Sequence, residues 1–519
     1  MPHLRIASAL LAAAPLLLLL PGVAHAAGSC SELLNFKAAG VTIEKAQEVA
    51  AGPVTAPAGA PPVALQAPAH CRVEGIIGAH RGPNGKSYGI RFSLALPPDW
   101  NGRLLYQGGG GLNGSVQAPV GMTATGNNTA LSRGFAVVSS DSGHEGAVFD
   151  ASFFADQQAS LDFLYQSIGK VMAVARPLVA AHYAKPIAHS YFVGCSTGGR
   201  EAMISAQRYP DEFDGIVVGS PAMRTNYSNL ATRWITVSLN SAAPKDATGR
   251  SVTAAALSDL DRKLVVDRLL EACDALDGIK DGMIFATRSC KFDPQVLQCK
   301  AAKTNSCLSA AQVQAIKRGF AGPKTSAGIQ VYPGFPYDTG IAFKGAGIPG
   351  LLSGGMSPVG PSPTSTTMNV DLEAAAAHDD REMAGDTDAW TNLSSFTAHG
   401  GKLIFYHGMS DPWFSALDTL GYYERLAADP SSPGPLSNWS RLFLVPGMGH
   451  CGGGEATLDR FDMLSAIVAW VEKGQAPEQV TATGRAFPGR SRPLCAYPRH
   501  AQYRGSGDPQ SAANFSCQD

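Results

Sequence analysis

A serine stands between two glycines in the run GCSTG at residues 194–198. A hydroxyl is a weak nucleophile, so such a serine needs a base, an acid that orients the base, and donors for an oxyanion. An apolar run, 191–193, precedes the motif, and a helical pattern, 199–209, follows it. This strand–turn–helix context favours a nucleophile at Ser196 over a chance match in a glycine-rich chain.

Two later residues are candidates for the base and its orienting acid. Asp411 and His450 each follow a short apolar run, so each is expected in a loop after a strand. Their order after Ser196 is the order of serine hydrolases that carry the nucleophile on such a turn. Asp411 could instead cap a turn, and His450 could be a buried structural histidine. Asp141 and His144 are rivals, but they precede Ser196, so we expect pocket or structural roles for them.

The oxyanion donors are expected to be backbone N–H groups. Thr197 directly follows the nucleophile and supplies one donor. Four glycines at 108–111 follow another strand-like run, and Gly111, with Gly110 next, is the candidate for the second donor. A flexible loop or a phosphate-binding loop is the alternative, but the Lys-Ser/Thr of a P-loop is missing.

A second candidate site is an acidic segment at residues 274–283. Asp274, Asp277 and Asp281 supply three carboxylates, and nearby glycines allow tight turns. Hard oxygen ligands suit calcium, and the carbonyls of Ile279 and Met283 could complete its shell. The spacing is not that of an EF-hand, and a solvated acidic turn is the alternative. A metal here would hold the structure around the segment rather than take part in catalysis.

The elements that must position these residues alternate between strand-like and helical patterns. Short apolar runs occur at 90–96, 103–106, 134–140, 191–194, 215–219, 402–406 and 441–445, and helical patterns at 161–183, 199–209 and 459–472. This alternation predicts an α/β fold with a mostly parallel sheet between helices. The alternation of strand-like and helical patterns stops between residues 222 and 395, and we interpret this segment as a lid domain. The predicted organisation is an N-terminal extension (27–71), a core (72–221 and 396–519) and this inserted lid.

The net charge and the N-terminal segment limit the classes of function that the protein can have. The formal net charge is -1 in 519 residues, with no basic stripe, which argues against a nucleic-acid partner. Residues 1–26 have a weakly basic start, an apolar stretch and a small-residue cleavage site, typical of a secretory signal. A membrane anchor is the alternative, but the apolar run is short. We expect a secreted or periplasmic protein with no membrane association after cleavage.

Ten cysteines in an exported chain predict five disulfides. The sequence alone does not fix their pairing, and no CxxC pair supports zinc. Pairing near neighbours gives Cys30–Cys71, Cys273–Cys290, Cys299–Cys307 and Cys495–Cys517, and leaves Cys195 with Cys451. Such a last bridge would bring the Cα atoms of Ser196 and His450 within about 13 Å of each other.

Taken together, these motifs resemble the tannase and feruloyl esterase family of α/β-hydrolases over nearly the whole mature chain. The specific matches are CS with GGRE at 195–201, HGMSD at 407–411 and PGMGHC at 446–451. The resemblance implies a Ser196–His450–Asp411 triad and a disulfide between Cys195 and Cys451. It also implies a structural calcium in the lid, held by the five residues of the acidic segment named above, and no organic cofactor.

The resemblance implies a small-molecule ester of an aromatic acid, of the feruloyl or galloyl type, as substrate. Segments 414–419 and 459–464 are especially similar to the bacterial branch that hydrolyses mono(2-hydroxyethyl) terephthalate, which is the alternative activity. That branch uses an aromatic clamp and a lid arginine, and the stretch 345–370 contains neither an aromatic nor a charged residue. Trp413 and Phe414 could pack against an aromatic acyl group, or simply belong to the core. An alternative from another class is a non-catalytic, calcium-dependent carbohydrate-binding protein.

Overall fold

The structure is a computed structural model that describes residues 28–54, 65–83, 85–344, 350–353, 365–378 and 385–519. The predicted signal, 1–26, therefore lies outside the described residues, as does most of 345–364. The strands are β1 (Val41–Val49), β2 (Gly52–Pro53), β3 (Gln66–Ala67), β4 (His70–Arg81), β5 (Ser87–Leu96), β6 (Arg103–Gln107), β7 (Ala136–Ser140), β8 (His189–Cys195), β9 (Gly215–Gly219), β10 (Lys402–Gly408), β11 (Ser440–Val445), β12 (Gln479–Thr483), β13 (Ser491–Cys495), β14 (His500–Tyr503) and β15 (Phe515–Gln518).

Helices separate most of these strands. They are α1 (Gln157–Leu161), α2 (Ser167–Tyr183), α3 (Thr197–Arg208), α4 (Thr225–Asn240), α5 (Asp259–Cys273), α6 (Ala310–Phe320), α7 (Val370–Ala377), α8 (Ser394–Ala398), α9 (Ala416–Ala428) and α10 (Met463–Lys473). A π-helical turn, Asp162–Gln166, joins α1 to α2. Short 3₁₀ turns, among them Asp274–Asp277 and Thr339–Ala342, occur in the connections.

Nine strands form one sheet in the order β1-β4-β5-β7-β6-β8-β9-β10-β11. From β7 to β11 all neighbours are parallel, whereas β1, β4 and β5 join antiparallel. The parallel strands are buried almost throughout, because helices cover both faces of this part of the sheet. One hydrophobic core contains residues of α2 and α9, and the other contains residues of α10. The predicted α/β architecture is confirmed.

The carboxyl ends of the parallel strands position the chemistry. The glycine run follows β6, Ser196 follows β8, Asp411 lies three residues beyond β10, and His450 lies five residues beyond β11. Because these strands are parallel neighbours, the four loops meet at one edge of the sheet, where α/β folds place ligands.

The N-terminal segment does more than pack on the core. It supplies β1, the edge strand that pairs antiparallel with β4 from Val41 to Val49. Only one residue of β1, Ala46, is buried, so the strand lacks the apolar run that marks a strand in sequence.

The insertion between β9 and β10 has its own small core. Helices α4, α5 and α6 contribute to a cluster of buried residues that includes Ile235, Val265, Ile316 and Tyr332. Disulfides Cys273–Cys290 and Cys299–Cys307 cross-link its loops. In the part of the chain that the structure describes, no helix is long and apolar enough to cross a membrane.

Candidate active site

Ser196 occupies a strained turn between β8 and α3. Its φ of 65° and ψ of -125° are rare for a residue with a side chain. The neighbouring glycines make this turn possible: a Cβ on Gly198 would lie 2.7 Å from the carbonyl oxygen of Gly109. A side chain on Gly194 would likewise overlap the backbone of Gly198. The local sequence therefore needs small residues on both sides of the serine, as the motif predicts.

His450 and Asp411 form a buried pair. The Nδ1 atom of His450 lies 2.8 Å from Oδ2 of Asp411. The Asp411 side chain is fully buried and that of His450 is 5% exposed. The second ring nitrogen, Nε2, is buried without a hydrogen-bond partner among the described residues. One nitrogen of the imidazole is thus oriented by a carboxylate while the other remains available.

A second histidine supports the carboxylate. His407 at the end of β10 places Nε2 3.3 Å from Asp411 Oδ2, and its Nδ1 lies 2.9 Å from the hydroxyl of Thr419. The backbone N–H groups of Trp413 and Phe414 donate to the other carboxylate oxygen. Burial alone would raise the pKa of Asp411, but His450 and His407 together outweigh it and hold this pKa well below its ordinary value. Asp411 is therefore a stable carboxylate.

A disulfide connects the loop of His450 to the turn of Ser196. Cys195 and Cys451 are bonded, with their Cα atoms 6.0 Å apart. Because these cysteines directly neighbour Ser196 and His450, the bridge holds the two loops together independently of the sheet. The structure also contains Cys30–Cys71 and Cys495–Cys517, and with the two bridges of the insertion it has all five predicted pairs.

The glycine run lies against the first turn of α3. The N–H of Gly198 donates to the carbonyl of Gly109 over 3.0 Å, and the Thr197 hydroxyl donates to the carbonyl of Gly111. Gly111 and Thr197 also line the same cavity beside Ser196. The two predicted oxyanion donors are thus brought together at the serine.

Two cavities meet at Ser196. The first, about 180 Å³, is lined largely by apolar and aromatic side chains. The second, about 470 Å³, contains His450 and is lined by polar loop residues that include Thr123, Asp459 and Arg460. Ser196, Gly111 and Trp413 belong to both. The arrangement suits a substrate whose reacting bond lies at Ser196 and whose two portions extend in different directions.

Trp413 and Phe414 lie where a substrate-binding role requires. Both line the first cavity, and their rings lie 5.0 and 5.3 Å from the His450 ring, measured between centroids. The sequence did not reveal the other aromatic residues of this cavity, Phe149, Phe154 and Phe163. Phe149 and Phe154 come from a loop and a 3₁₀ turn, where apolar residues have no period to detect, whereas Phe163 lies in the predicted helical pattern 161–183, which does not show that its ring lines a cavity.

Two buried carboxylates near the site were also missed as functional candidates. Glu201 on α3 accepts hydrogen bonds from the glycine loop, and Asp338, from the insertion, contacts the loops of Asp411 and His450. Glu201 was noted only as part of a family motif. For Asp338 no sequence signal exists, because its partners lie 72 and 109 residues away.

The rivals Asp141 and His144 have other surroundings. Asp141 accepts hydrogen bonds from the backbone N–H groups of Arg91 and Gly143. The His144 ring stacks on Phe153 at 3.7 Å between centroids. Burial lowers the pKa of His144 to about 4, so this histidine is neutral at neutral pH.

The acidic segment forms a compact turn beside the C-terminal hairpins. Asp274 accepts from the N–H groups of Asp281 and Gly282, and Asp277 Oδ2 accepts from the N–H of Phe285. Asp277 Oδ1 is buried with no hydrogen-bond partner among the described residues. Burial, with Asp281 and Asp274 nearby, raises the pKa of Asp277 to about 7. Arg492 and Arg490 both pair with Asp281, so this carboxylate already has two cationic partners.

Comparison with known proteins decides the family. The model for "Tannase and feruloyl esterase" matches residues 71–350 and 364–518. The chain belongs to this family. It is 40% identical to the mono(2-hydroxyethyl) terephthalate hydrolase of Piscinibacter sakaiensis, over 91% of this chain and 88% of that protein. It is 32% identical to a probable feruloyl esterase B of Aspergillus clavatus, over 82% and 83% of the two chains.

Solved structures agree with the family assignment. Feruloyl esterase B from Aspergillus oryzae superposes with a TM-score of 0.75 at 26% identity, covering 93% of this chain and 98% of that one. Tannin acyl hydrolase from Aspergillus niger, at 21% identity and a TM-score of 0.67, shares the fold and covers 93% and 92%. The chain is thus a carboxylic ester hydrolase with the α/β-hydrolase fold. The prediction of a non-catalytic carbohydrate-binding protein is not supported.

Proposed function

We propose that this family member is a secreted serine esterase that cleaves esters of aromatic acids through Ser196, His450 and Asp411. The observation that carries the proposal is the 2.8 Å contact between His450 Nδ1 and Asp411 Oδ2, in a loop that a disulfide joins to the residue beside Ser196. The strained turn at Ser196 and the nearby glycine run support the same role.

The proposed reaction is a two-step acyl transfer. Ser196 Oγ attacks the ester carbonyl carbon while Nε2 of His450 takes the hydroxyl proton. The N–H groups of Thr197 and Gly111 hold the negative oxygen of the tetrahedral intermediate. His450 then gives its proton to the leaving alcohol, and an acyl-serine ester remains. Water, deprotonated by His450, attacks this ester, and Ser196 leaves with the proton as the acid is released.

The first cavity supports an aromatic acyl group. Phe149, Phe154, Phe163, Trp413 and Phe414 supply ring surfaces, so a planar acid can bury its ring against faces and edges. We propose that the acyl ring binds here and that the alcohol portion occupies the wider cavity that contains His450. Substituted benzoates or cinnamates, such as gallate and ferulate, are the acids we favour.

Hydrolysis of mono(2-hydroxyethyl) terephthalate is the second candidate, and the 40% identical relative favours it. Its acyl part carries a free carboxylate, which needs a cation. Among the described residues that line the first cavity the cation is Arg200, whose guanidinium donates to the carbonyls of Phe163 and Leu164. These bonds already commit Arg200, so the described cavity suits an uncharged acyl ring better.

Substitution of the nucleophile tests the proposal directly. Ser196→Ala should remove turnover of methyl gallate, methyl ferulate and mono(2-hydroxyethyl) terephthalate, and should also prevent labelling by a fluorophosphonate. Ser205→Ala is a matched control, because Ser205 is buried on the same helix and donates only to the carbonyl of Glu201. Comparison of kcat/KM across the three esters and a short aliphatic ester ranks the substrates. Turnover that survives Ser196→Ala would overturn the triad.

We also propose that the acidic segment binds calcium. The support is Asp277, which is buried with one carboxylate oxygen unpartnered among the described residues, and Asp274, which is also buried. The carbonyls of Ile279 and Met283 would complete an oxygen shell with Asp281, and the ion would balance the local negative charge. Chelation followed by calorimetry should lower the melting temperature, and calcium should restore it. An unchanged melting profile, or one that magnesium restores equally, would count against a calcium site.

Export remains part of the proposal. Five disulfides support an oxidising compartment, secreted or periplasmic. Mass spectrometry of the protein from a culture supernatant or periplasmic extract should find a mature N-terminus at Ala27. A chain that retains residues 1–26 in both fractions would contradict signal cleavage.

A further inference from the structure

Glu201 is a buried carboxylate in an unusual position. It lies on α3, five residues after Ser196, and only 3% of its surface is exposed. The described hydrogen-bond donors to its carboxylate are all uncharged groups. Arg200, the neighbouring cation, donates instead to the carbonyls of Phe163 and Leu164. A buried charge of this kind destabilises a fold unless hydrogen bonds replace its water shell, so its partners are informative.

The partners of Glu201 are three neutral donors. Oε2 accepts the N–H of Gly109 at 2.9 Å, and Oε1 accepts the amide of Asn113 at 2.6 Å and the hydroxyl of Ser142 at 2.9 Å. Gly109 and Asn113 are the first and last residues of a five-residue arc, and Gly111 is its middle residue. One carboxylate therefore holds both ends of the arc that carries the proposed oxyanion donor.

This arc has few other described bonds: the N–H of Leu112 donates to the Val148 carbonyl and that of Asn113 to the Gly110 carbonyl, both at 2.9 Å. Glycine has no side chain to anchor a loop and adopts many backbone conformations, so a run of four glycines is intrinsically mobile. The described bonds that fix it to α3 are the one from Gly198 to the Gly109 carbonyl and the one from Thr197 to the Gly111 carbonyl. Both use carbonyl oxygens of the arc. Glu201 supplies the acceptor for an N–H of the arc.

We infer that Glu201 is a positioning residue for the oxyanion site. Its carboxylate holds Gly109 and Asn113 in register with the helix of the nucleophile, so that the N–H of Gly111 is aimed before charge develops. Hydrogen bonds to a charged acceptor are shorter and stronger than neutral ones, which suits this role. The inference rests on the proposed function, because it assigns Glu201 to an oxyanion formed by attack of Ser196.

A positioning role makes a specific kinetic prediction. An oxyanion donor acts mainly on the transition state, so a misplaced donor lowers kcat with little change in KM. Glu201→Ala should lower kcat by on the order of 10²–10³, the usual effect of losing one donor. Glu201→Gln keeps an oxygen that can accept the N–H of Gly109, but its amide nitrogen would face the donor of the Asn113 amide. The kcat of Glu201→Gln should therefore lie between that of the wild type and that of Glu201→Ala.

Two inhibitors separate positioning from general damage. An aryl boronate forms a tetrahedral adduct with the serine and uses the oxyanion site, whereas the free aromatic acid is planar and does not form that adduct. In Glu201→Ala the inhibition constant of the boronate should rise in parallel with the loss of kcat/KM. The inhibition constant of the acid should change less than about threefold if the cavity is intact. Equal weakening of both inhibitors would overturn the inference and indicate a structural role.

Two further variants guard against misfolding. Ser205→Ala removes a hydroxyl on the same helix that contacts the Glu201 main chain but not its carboxylate, so it should preserve kcat and boronate affinity within about threefold. Asn113→Asp places a second carboxylate against Glu201 with almost no change in size, and should reproduce the selective loss of boronate affinity even if Glu201→Ala does not fold. If Asn113→Asp behaves like Ser205→Ala, the arc does not depend on Glu201.

The outcomes also distinguish this inference from the triad proposal. If the triad is wrong, Ser196→Ala keeps turnover and the wild-type protein does not react with a fluorophosphonate. If only the role of Glu201 is wrong, Ser196→Ala is inactive while Glu201→Ala and Glu201→Gln retain wild-type kcat and boronate affinity.

Discussion

The two sides of the active site are held in different ways. On the histidine side, a disulfide joins the loop of His450 to Cys195, and buried side chains brace the loop of Asp411. On the oxyanion side, four glycines follow β6, and hydrogen bonds to α3 and to Glu201 hold them. One side is fixed by a covalent bond between side chains, and the other largely by hydrogen bonds that the main chain of the glycine run makes.

The chemistry of each side explains this difference. His450 acts through a side chain, which reaches the serine from a loop that can be anchored some distance away. The oxyanion donors are backbone N–H groups, so the whole backbone must come close to Ser196. Close approach requires glycine, and glycine brings flexibility that other residues must remove. We therefore expect the oxyanion side to be sensitive to small changes in backbone spacing, and the histidine side to loss of its anchors.

Adding one methyl group to the glycine run should have the largest effect. A Cβ on Gly108 would lie 2.7 Å from the Cα of Gly198 and 3.1 Å from that of Gly194, so both backbones must separate. Gly108→Ala should lower kcat/KM by on the order of 10²–10³, the effect of losing an oxyanion donor. Steady-state kinetics on one aromatic ester, with calorimetry to confirm folding, would measure it.

Gly110, two residues after Gly108 in the same run, provides the matched control. A Cβ on Gly110 would meet only the end of Gln117, at 3.9 Å. Gly110→Ala should therefore lose no more than about fivefold in kcat/KM, since no backbone must move. Equal losses in the two variants would mean that flexibility of the loop, and not its spacing from α3, determines activity.

Breaking the disulfide should have the next largest effect. The bridge closes a loop of 256 residues, so Cys195→Ala with Cys451→Ala should lower the free energy of unfolding by up to about 5 kcal/mol. Without it, His450 remains paired with Asp411 but its loop can move relative to Ser196. We expect kcat/KM to fall about 10- to 100-fold from this loss of alignment. Mild reduction of the wild-type protein should reproduce the loss, and reoxidation should reverse it.

Removal of a bridge elsewhere shows whether the position of the bridge matters. Cys299 and Cys307 are joined across only 8 residues, in the insertion. The double alanine variant there should leave kcat/KM close to wild type. If both double variants lose activity equally, the tether at the active site has no special role.

The histidine side was largely predictable from sequence, and the oxyanion side was predictable only in part. Ser196, Asp411 and His450 follow buried parallel strands, whose continuous apolar runs are visible in the chain and whose order is restricted by the fold. The glycine run was visible for the same reason. Its dependence on Glu201 was not, because Glu201 is separated from Gly109 by 92 residues and resembles any polar residue on a helix.

The aromatic cavity and edge strand β1 were the parts that sequence could not reveal. Phe149 and Phe154 come from a loop and a short 3₁₀ turn without a hydrophobic period, and the helical pattern that contains Phe163 does not show which surface its ring lines. In β1 only Ala46 is buried, so the strand is defined by hydrogen bonds with β4 rather than by its side chains. Both depend on long-range pairing that the local composition does not encode.

Substitution of Asp338 should have the smallest effect on activity, because Asp338 supports the histidine side through hydrogen bonds and not through a covalent bond. Its Oδ2 accepts the hydroxyl of Ser410 at 2.7 Å and the N–H of Gly447 at 2.6 Å, one donor from each loop. Asp338→Ala leaves both donors buried without an acceptor, so the free energy of unfolding should fall by about 1–3 kcal/mol. We expect only about a tenfold loss in kcat/KM, since the disulfide still holds the loop of His450.

The variant Asp338→Asn should also change how the stability of the fold depends on pH. Burial raises the pKa of Asp338 above its ordinary value, although the bonds from Ser410 and Gly447 oppose the shift. Between the ordinary aspartate pKa of about 4 and the higher folded value, the folded chain binds more protons than the unfolded chain, so stability falls as the pH rises. Asp338→Asn keeps an acceptor and cannot ionise, so relative to wild type it should be more stable at pH 7 than at pH 4. Thermal unfolding at both pH values measures the difference, and the same stability offset at both would show that Asp338 does not titrate in this window. A small loss of activity in Asp338→Ala would place the main anchor of the histidine side in the disulfide, with Asp338 as its secondary support, and the pH-dependent offset would show that this support titrates.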